Sequence, residues 1–572
     1  MNILGLNHWF HDTSACLVQD GRLVAALEQE RFSRDKHTRA FPDEAIAHCL
    51  QIGGIGLQDI DRVAISIKPS HRWATKFGYA MRRPHRAGPF VRHELLNGLM
   101  KQRRLRRWLQ DSWPDTAQRP PVHAIEHHLA HAAGSFYVCP HEHAAILSLD
   151  GSGEWACSWL GEGRGNRVEH FGSSDFPHSL GAVYEAVTEF CGFRPNYDEG
   201  KTMGLAPLGD PSRFIEAARR CVRVDETDGR IQVDQSWFDY AYWGHRRCGA
   251  RFLATFGEPR AADGEFLDHH RDVAAAFQQV LEECALALAR VLRSRSDARH
   301  LVIAGGVALN SVMNGRLLRE TGFEDVWIMP AAGDAGTAIG AAYVLHNGVL
   351  GQPRNAVHDD PYLGTGYDDD QIEAQLRGAK LAYRRSEDIA ADTAALLERG
   401  AIVGWFQGRM EIGPRALGAR SILANPADPS MKDKINREVK YREPYRPFAP
   451  SATVEAASTF FDIDVEAPFM LKVCQVRHDK RALLPAITHV DGSARLQTVR
   501  RDSAPRYHAL IEALGRRTGV PVVLNTSFNV QGEPVVESPR DAIRCFYSSG
   551  LDYLSIGSFI VGKRDTGEEP PA

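Results

Sequence analysis

The chain of 572 residues lacks several features that would place it in a class at once. It has no Cys-x-x-Cys pair. Its ten cysteines are scattered from Cys16 to Cys545, which makes neither a disulfide framework nor a thiolate zinc site and suits free thiols in a reducing cytoplasm. No run of ~18 apolar residues occurs, so no membrane-spanning helix is expected. The opening residues, MNILGLNHWFHD, carry no basic stretch leading into an apolar one, so no signal peptide is expected and the cytoplasm is the expected location. Net charge is scarce as well. The 68 Lys and Arg against 72 Asp and Glu leave −4, and so small a charge gives no global attraction to nucleic acid or membrane. What remains is an ordinary globular composition, too long for one core, so two or more α/β domains are expected.

Asn2 to Leu6, Ala15 to Val18 and Leu23 to Leu27 read as strands, with a polar turn HWFHDTS after the first and Asp20-Gly21 as a hairpin turn. The plan recurs: Ala144 to Leu149 is a strand, DGSG a turn, and Ala156 to Leu160 the next strand. Two such units predict a duplicated α/β domain. Arg271 to Ser294 reads as a long helix. HLVIAGGVALN and VWIMPAAGDAGTAIGAAYVL each read as strand, glycine-bearing loop and helix. Residues 356–380, rich in Gly, Pro and Asp, read as a linker between a first domain at 1–355 and a second at 381–572. The second opens with helix Ser386 to Glu398 and strand Ala401 to Phe406, and the tail KRDTGEEPPA is expected to be disordered. One stretch, Arg82 to Arg107, is strongly basic. It reads as a solvated helical insertion or as a surface that steers an anionic substrate or partner.

Four constellations carry chemistry. In EHHLAHAAGSF, His127 and His131 lie four apart and share one helix face, close enough to meet one metal ion. Asp150, after its strand, and Asp334, in GDAG, are the further candidates. Two imidazoles with two carboxylates suit Fe(II), Mn(II) or Zn(II). The glycine turns IAGGVALN and GDAG expose backbone amides to phosphate, which makes Gly305, Gly306, Val307, Asn310 and Gly333 nucleotide candidates. The run NYDEGKTMGLAPLGDP reads as a long functional loop and adds Glu199, Lys201 and Met203. His11, in the first polar turn, is placed as a general base for a hydroxyl, with Lys36 and His37 approaching the same cleft. In the second domain, arginines and lysines sit among Gly and Pro turns: Arg409, Arg415 and Arg420 in GRMEIGPRALGARS, and Arg437, Lys440, Arg442 and Arg446 in NREVKYREPYRP. HVDGSARLQTV and VLNTSFNVQGEP add His489, Asp491 and Arg495, then Asn525, Ser527, Asn529 and Gly532. The forked guanidinium matches phosphate and carboxylate. Without interleaved stacking aromatics, a pocket for small phosphates fits better than nucleic acid.

Taken together, HDTSA, HHLAHAAGSF, LDGSGE, DEGKTMGLAPLGDP, IAGGVALN, GDAG, GPRALGARS, VKYREPYRPFAPS, HVDGSARLQTV and LNTSFNVQGEPVV resemble the O-carbamoyltransferases. This family includes nodulation enzymes and enzymes that decorate antibiotics. The resemblance is collinear over nearly the whole chain. It implies an N-terminal ASKHA-type (TsaD-like) domain fused to a YrdC-like domain. It implies that the second domain makes carbamoyladenylate from carbamoyl phosphate and Mg-ATP, and that the first passes the carbamoyl group to a hydroxyl of a small molecule. Carried over by resemblance, His127, His131, Asp150 and Asp334 hold Fe(II) and His11 and Lys36 are catalytic. Arg415, Lys440, Arg446 and Arg495 bind carbamoyl phosphate or ATP phosphates, and Arg409 and Asn525 lie in the same motifs. The family also suggests a homodimer. The rival reading is a tRNA threonylcarbamoyladenosine-type modification enzyme, which the near-neutral charge disfavours.

Overall fold

The computed structural model describes residues 1–69, 71–85, 87–92, 98–242 and 246–563. Parts of the basic stretch (residues 86 and 93–97) and most of the C-terminal tail lie outside the described residues. Contacts divide the chain into two units: residues 1–29 with 37–358, and residues 30–36 with 359–572. Among the described residues no helix is long and apolar enough to cross a membrane. All ten cysteines are buried and free.

The first unit is built on two five-stranded sheets of the same design. The first contains β1 (Asn2–Asn7), β2 (Ser14–Gln19), β3 (Arg22–Glu28), β4 (Arg62–Ile65) and β5 (Val122–Ala124), in the order β3-β2-β1-β4-β5. The second is formed by β6 (His143–Gly153), β7 (Ala156–Arg164), β8 (Arg167–Gly172), β11 (His300–Ala304) and β12 (Asp325–Ile328), in the order β8-β7-β6-β11-β12. A two-stranded ribbon of β9 (Val222–Asp225) and β10 (Arg230–Val233) lies apart from both. In each sheet the first three strands run antiparallel and the last two join parallel to the first of them. This repeated strand order and direction is the duplicated ASKHA arrangement. The β2–β3 hairpin turns on Asp20 and Gly21, both at positive φ (48° and 80°), as the two-residue hairpin turn requires.

β1 and β6 are buried along most of their length because helices cover them. Two of those helices, His127–Tyr137 and Thr337–Tyr343, cross with backbones touching. A Cβ on Gly134 would stand 2.1 Å from the Gly340 Cα, and one on Gly340 would stand 2.0 Å from the Ala130 carbonyl oxygen. Only glycine permits that approach. Gly340→Ala must therefore push the helices apart. We expect a loss of about 1–3 kcal/mol from overpacking, read as a lower denaturation midpoint, together with reduced metal retention, because each helix carries part of the site described below.

The second unit holds one ten-stranded mixed sheet. Its strands are β13 (Arg384–Arg385), β14 (Val403–Phe406), β15 (Arg420–Ala424), β16 (Ala449–Thr453), β17 (Phe461–Asp462), β18 (Lys472–Val476), β19 (Ser493–Val499), β20 (Val522–Ser527), β21 (Tyr553–Ile556) and β22 (Phe559–Gly562). Their order is β13-β22-β21-β14-β15-β20-β16-β19-β18-β17. Alternate residues feed two cores. Phe406, Ile422 and Leu524 face one, while Trp405, Leu423 and Val523 face the other, so both faces are covered.

Three expectations change. The stretch 356–380 is no free linker: from Asp359 it belongs to the second unit, and Asp369–Gly378 is a helix with an Asp368 cap. Apolar Ile372 and Leu376 hold that helix to the core. The run 196–211 is not loop throughout; Glu199–Leu205 is helical, its glycines masking a segment that packs by way of Thr202 and Leu205. Lys36 groups with the second unit. Arg31 donates to the Gly413 carbonyl (2.8 Å), and Arg34 to the Pro534 and Val535 carbonyls (2.8 and 2.6 Å), which binds segment 30–36 there.

Candidate functional site

The helix after β5 begins at His127, so His127 and His131 project from one face of its first two turns. Asp150 lies in the extended end of β6, and Asp334 opens the turn before helix Thr337–Tyr343. All four side chains are buried and offer ligand atoms within 4.8 Å of one another. The two histidine Nε2 atoms stand 3.1 Å apart. His127 Nε2 is 3.5 Å from a carboxylate oxygen of both Asp150 and Asp334, and His131 Nε2 is 3.5 Å from Asp334. Burial alone lowers an imidazole pKa; here the Asp334 and Asp150 carboxylates outweigh it and push His127 up to about 9. The His127 and His131 imidazoles hold Asp150 well below the usual carboxylate range despite its burial. Two imidazole nitrogens and two carboxylates converging in a buried pocket form a donor set that fits Fe(II), Mn(II) or Zn(II).

The turn between β1 and β2 is tied to this cluster. Asn7, at the end of β1, donates its side-chain amide to the carbonyls of His11, Asp12 and Asp334 (3.0–3.2 Å). His11 Nδ1 lies 2.8 Å from one Asp12 oxygen, and His37 Nδ1 lies 2.7 Å from the other. Asp12 sits at φ 52°, a conformation an aspartate tolerates better than most residues. Burial opposes the His11 charge, but the Asp12 hydrogen bond and the Asp334, Asp12 and Asp150 charges raise it to about 10. Asn7 and Asp12 were not singled out from the sequence; only the His-Asp dipeptide hinted at an imidazole with its own orienting carboxylate.

The glycine loops behave differently from expectation in one respect. The Gly306 amide, expected to face phosphate, donates to Asp150 Oδ1 at 2.9 Å. Gly305 takes φ 87° beside the Leu149 backbone, where a Cβ would stand 2.2 Å from the carbonyl oxygen. The loop therefore orients a cluster carboxylate. Asn310 caps helix Ser311–Glu320 and exchanges two amide hydrogen bonds with Gln278 (2.9 and 3.1 Å). Val307 lies in the short turn Gly306–Leu309, and Gly333 directly precedes Asp334. Lys201 pairs with Asp198 at 3.2 Å, and Met203 accepts the Ser311 hydroxyl.

In the second unit, Arg415, Lys440, Arg442, Arg446 and Arg495 act on one another as like charges. Burial first, then Arg446, lowers Arg415 to about 10; burial and then Arg446 lower Arg442 to about 9. Burial, with Arg415, Arg446 and Arg442, depresses Arg495. Lys440 is depressed by burial and by Arg442, Arg446 and Lys36, and its ammonium is held by Ser527 and by Asn529 (Oδ1 at 2.8 Å). Two of the expected phosphate arginines are engaged otherwise. Arg409 donates to the Leu363 and Gly364 carbonyls (2.6 and 3.0 Å), and Arg420, fully buried over the Phe406 ring, donates to the Gln407 and Thr365 carbonyls. Asn525 donates to the Ala416 carbonyl, Ser451 and Gln497, while Gln497 donates to the Leu417 carbonyl at 2.7 Å. Glu411 accepts from the Leu417, Ala419 and Arg420 amides. Asn525, Gln497 and Glu411 thus fix the backbone on either side of Arg415's turn. Glu411 and Gln497 gave no signal in the sequence beyond their place in the motifs.

Family comparison decides what this pair of sites belongs to. The family model "Carbamoyltransferase N-terminus" matches residues 2–343 and "Carbamoyltransferase C-terminus" matches residues 394–563. The chain belongs to the carbamoyltransferase family. Among the relatives of this carbamoyltransferase is nodulation protein NolNO of Sinorhizobium fredii, 38% identical over 98% of this chain and 80% of that protein. Another is the 3′-hydroxymethylcephem-O-carbamoyltransferase of Amycolatopsis lactamdurans, 33% identical over 63% of this chain and 64% of that one. Among solved structures, T. kodakarensis HypF aligns at 14% identity with a TM-score of 0.32, covering 61% of this chain and 48% of that one.

Proposed function

We propose that this carbamoyltransferase is an ATP-dependent O-carbamoyltransferase with its two half-reactions divided between the two units. The observation that carries the reading is the pairing, in one chain, of a buried His2Asp2 cluster with a mutually repelling set of cations. A buried group of like charges is costly unless an anion joins it, and carbamoyl phosphate with Mg-ATP supplies several phosphate charges. In the second unit, likened from its sequence to YrdC, carbamoyl phosphate is cleaved with water to carbamate and phosphate. The carbamate oxygen then attacks the α-phosphorus of ATP, giving carbamoyladenylate and pyrophosphate. Carbamate itself is a poor acyl donor because its oxygen leaves badly; as a phosphate ester that oxygen leaves as AMP. Arg415, Lys440, Arg446 and Arg495 hold the phosphates and offset their mutual repulsion. Arg409 and Asn525 position the loops instead of touching substrate.

In the first unit, a hydroxyl of a small-molecule acceptor attacks the carbamoyl carbon, forming the O-carbamoyl ester and releasing AMP. His11, oriented by Asp12, is placed to take the hydroxyl proton at its Nε2; a divalent ion held by Asp150 and Asp334 would offset the two carboxylate charges that otherwise keep this imidazole protonated. The glycine loops around Gly305 and Gly333 and Lys201 flank the adenylate. His127, His131, Asp150 and Asp334 would hold the divalent ion, Fe(II) by resemblance, whose chemistry is to withdraw charge from a bound phosphate. His11→Ala tests the division of labour. It should abolish acceptor carbamoylation, scored by mass gain of one carbamoyl group across a panel of hydroxylated metabolites and tRNA, while sparing pyrophosphate release. Loss of both activities, or carbamoylation of tRNA alone, contradicts the reading.

A further inference from the structure

Neither half-reaction proposed above uses the charge of the basic stretch, although Lys101 lies over the Trp9 and Phe10 rings beside His11 (5.7 and 5.5 Å), and that charge is concentrated. Between residues 68 and 107 stand twelve Lys or Arg and a single acid, Glu94, in a chain of net charge −4. The helix Trp73–Arg82 within it is inverted. Lys76 is 8% exposed, whereas Trp73, Phe77 and Met81 are 45%, 68% and 58% exposed. At four-residue spacing those three apolar side chains fall within about 80° of helix arc and touch in sequence along one outward stripe. The orientation is fixed from the other side. Tyr79 is buried, stacks on Tyr242 at 4.9 Å and donates to the Ala241 carbonyl at 2.9 Å, with Phe90 and Trp155 against it. The next long helix, Gly98–Ser112, buries Leu105 and Leu109 and presents Arg103, Arg104, Arg106 and Arg107 outward, after an exposed Leu99 and Met100.

A solvated helix does not spend its outward face on tryptophan, phenylalanine and methionine while burying its lysine. We infer that these two helices dock the protein on an anionic lipid bilayer, the Trp73–Phe77–Met81 stripe entering the headgroup–acyl boundary and the arginines pairing with lipid phosphates. Arg82 and Arg83, exposed at the end of the Trp73–Arg82 helix, set cations beside the stripe itself, and apolar anchors next to clustered cations are what an anionic interface selects. A second copy is disfavoured as occupant, because the same surface would bring two strongly positive patches together. A nucleic acid accounts for the arginines but not for an outward Met and Phe. The expectation of no membrane partner concerned spanning helices and net charge, and neither reports a local interfacial patch.

The test is flotation of the purified full-length protein with phosphatidylcholine vesicles, with and without phosphatidylglycerol. Wild type should float only with the anionic vesicles. Phe77→Asp, and separately Arg103→Glu with Arg106→Glu, should each cut the bound fraction about tenfold or more, with melting temperature and pyrophosphate release unchanged; added salt should weaken the wild-type interaction. Equal binding to neutral vesicles, full binding by Phe77→Asp, retention of wild type by tRNA but not by vesicles, or a dimer that dissociates on Phe77→Asp would each overturn the inference.

Discussion

Arg415→Ala is expected to lower carbamoyl-phosphate-dependent pyrophosphate release by roughly 10²–10³-fold, the cost of removing one preorganised charge-stabilising donor, and to lower acceptor carbamoylation with it. The argument rests on where the side chain is held. Its turn is fixed by three amide hydrogen bonds to Glu411, and the carbonyls of the next two residues are anchored by Asn525 and Gln497. Arg415 is therefore presented, not merely exposed. Burial and Arg446 already push it down to about 10, so the folded protein bears a cost for keeping it charged. The loss should therefore appear as lost pyrophosphate release in protein that remains folded. A structural arginine behaves the opposite way: Arg420→Ala would leave a cavity and unpaired carbonyls beneath Phe406 and should destabilise the unit strongly. An Arg415→Ala variant that keeps pyrophosphate release, or that loses it only by unfolding, contradicts the phosphate-binding role.

His131→Ala should act on the other half-reaction alone. It removes one of two imidazoles whose Nε2 atoms stand 3.1 Å apart and leaves Asp334, 3.5 Å away, without that partner. Loss of a partner outside a ligand set costs 10–100-fold in metal affinity or activity; loss of a ligand itself should cost roughly 10³. Metal content, measured by elemental analysis after dialysis, should fall from near one ion per chain to near none, carbamoylation should fall with it, and pyrophosphate release should persist. His128, the neighbour between the two, offers the control. It is fully buried, lies 2.9 Å from the Ala156 carbonyl, and its pKa is lowered to about 3 by burial and by His127, so it is a neutral structural imidazole. His128→Asn should retain the metal. Metal retained by His131→Ala would dismiss the quartet as a metal site.

How much of this could be read from residues alone follows from which physical signals are local. The first-unit framework was legible because period-2 strands and Asp-Gly turns are local, and their repetition announced the duplication. His127 and His131 were legible because a helix places i and i+4 together. Asp150 and Asp334 converge on them only through the register of β6 with β11 and the Gly134–Gly340 crossing, which no local pattern reports. The arginines show the limit most clearly. Arg409, Arg415 and Arg420 share one glycine-rich stretch and look alike in sequence. Only the carbonyls of 363–365, brought in from a distant segment, and that of Gln407 separate two structural guanidiniums from the one beside Arg446 and Arg495. The unit to which Lys36 belongs was hidden for a similar reason: strand β3 implies that the next residues stay with it, yet Arg31 and Arg34 bind segment 30–36 to the other unit. The helix at Glu199–Leu205 was hidden by Gly200 and Gly204, which lower helix propensity without forbidding a helix that tertiary packing supports.

The most direct test of the division into two half-reactions is to incubate the purified protein with Mg-ATP and carbamoyl phosphate, without acceptor, and quantify pyrophosphate and the adenylate. The account predicts pyrophosphate that requires carbamoyl phosphate, is retained by His11→Ala and His131→Ala, and is lost in Arg415→Ala. Pyrophosphate independent of carbamoyl phosphate, or abolished equally by all three substitutions, would contradict it.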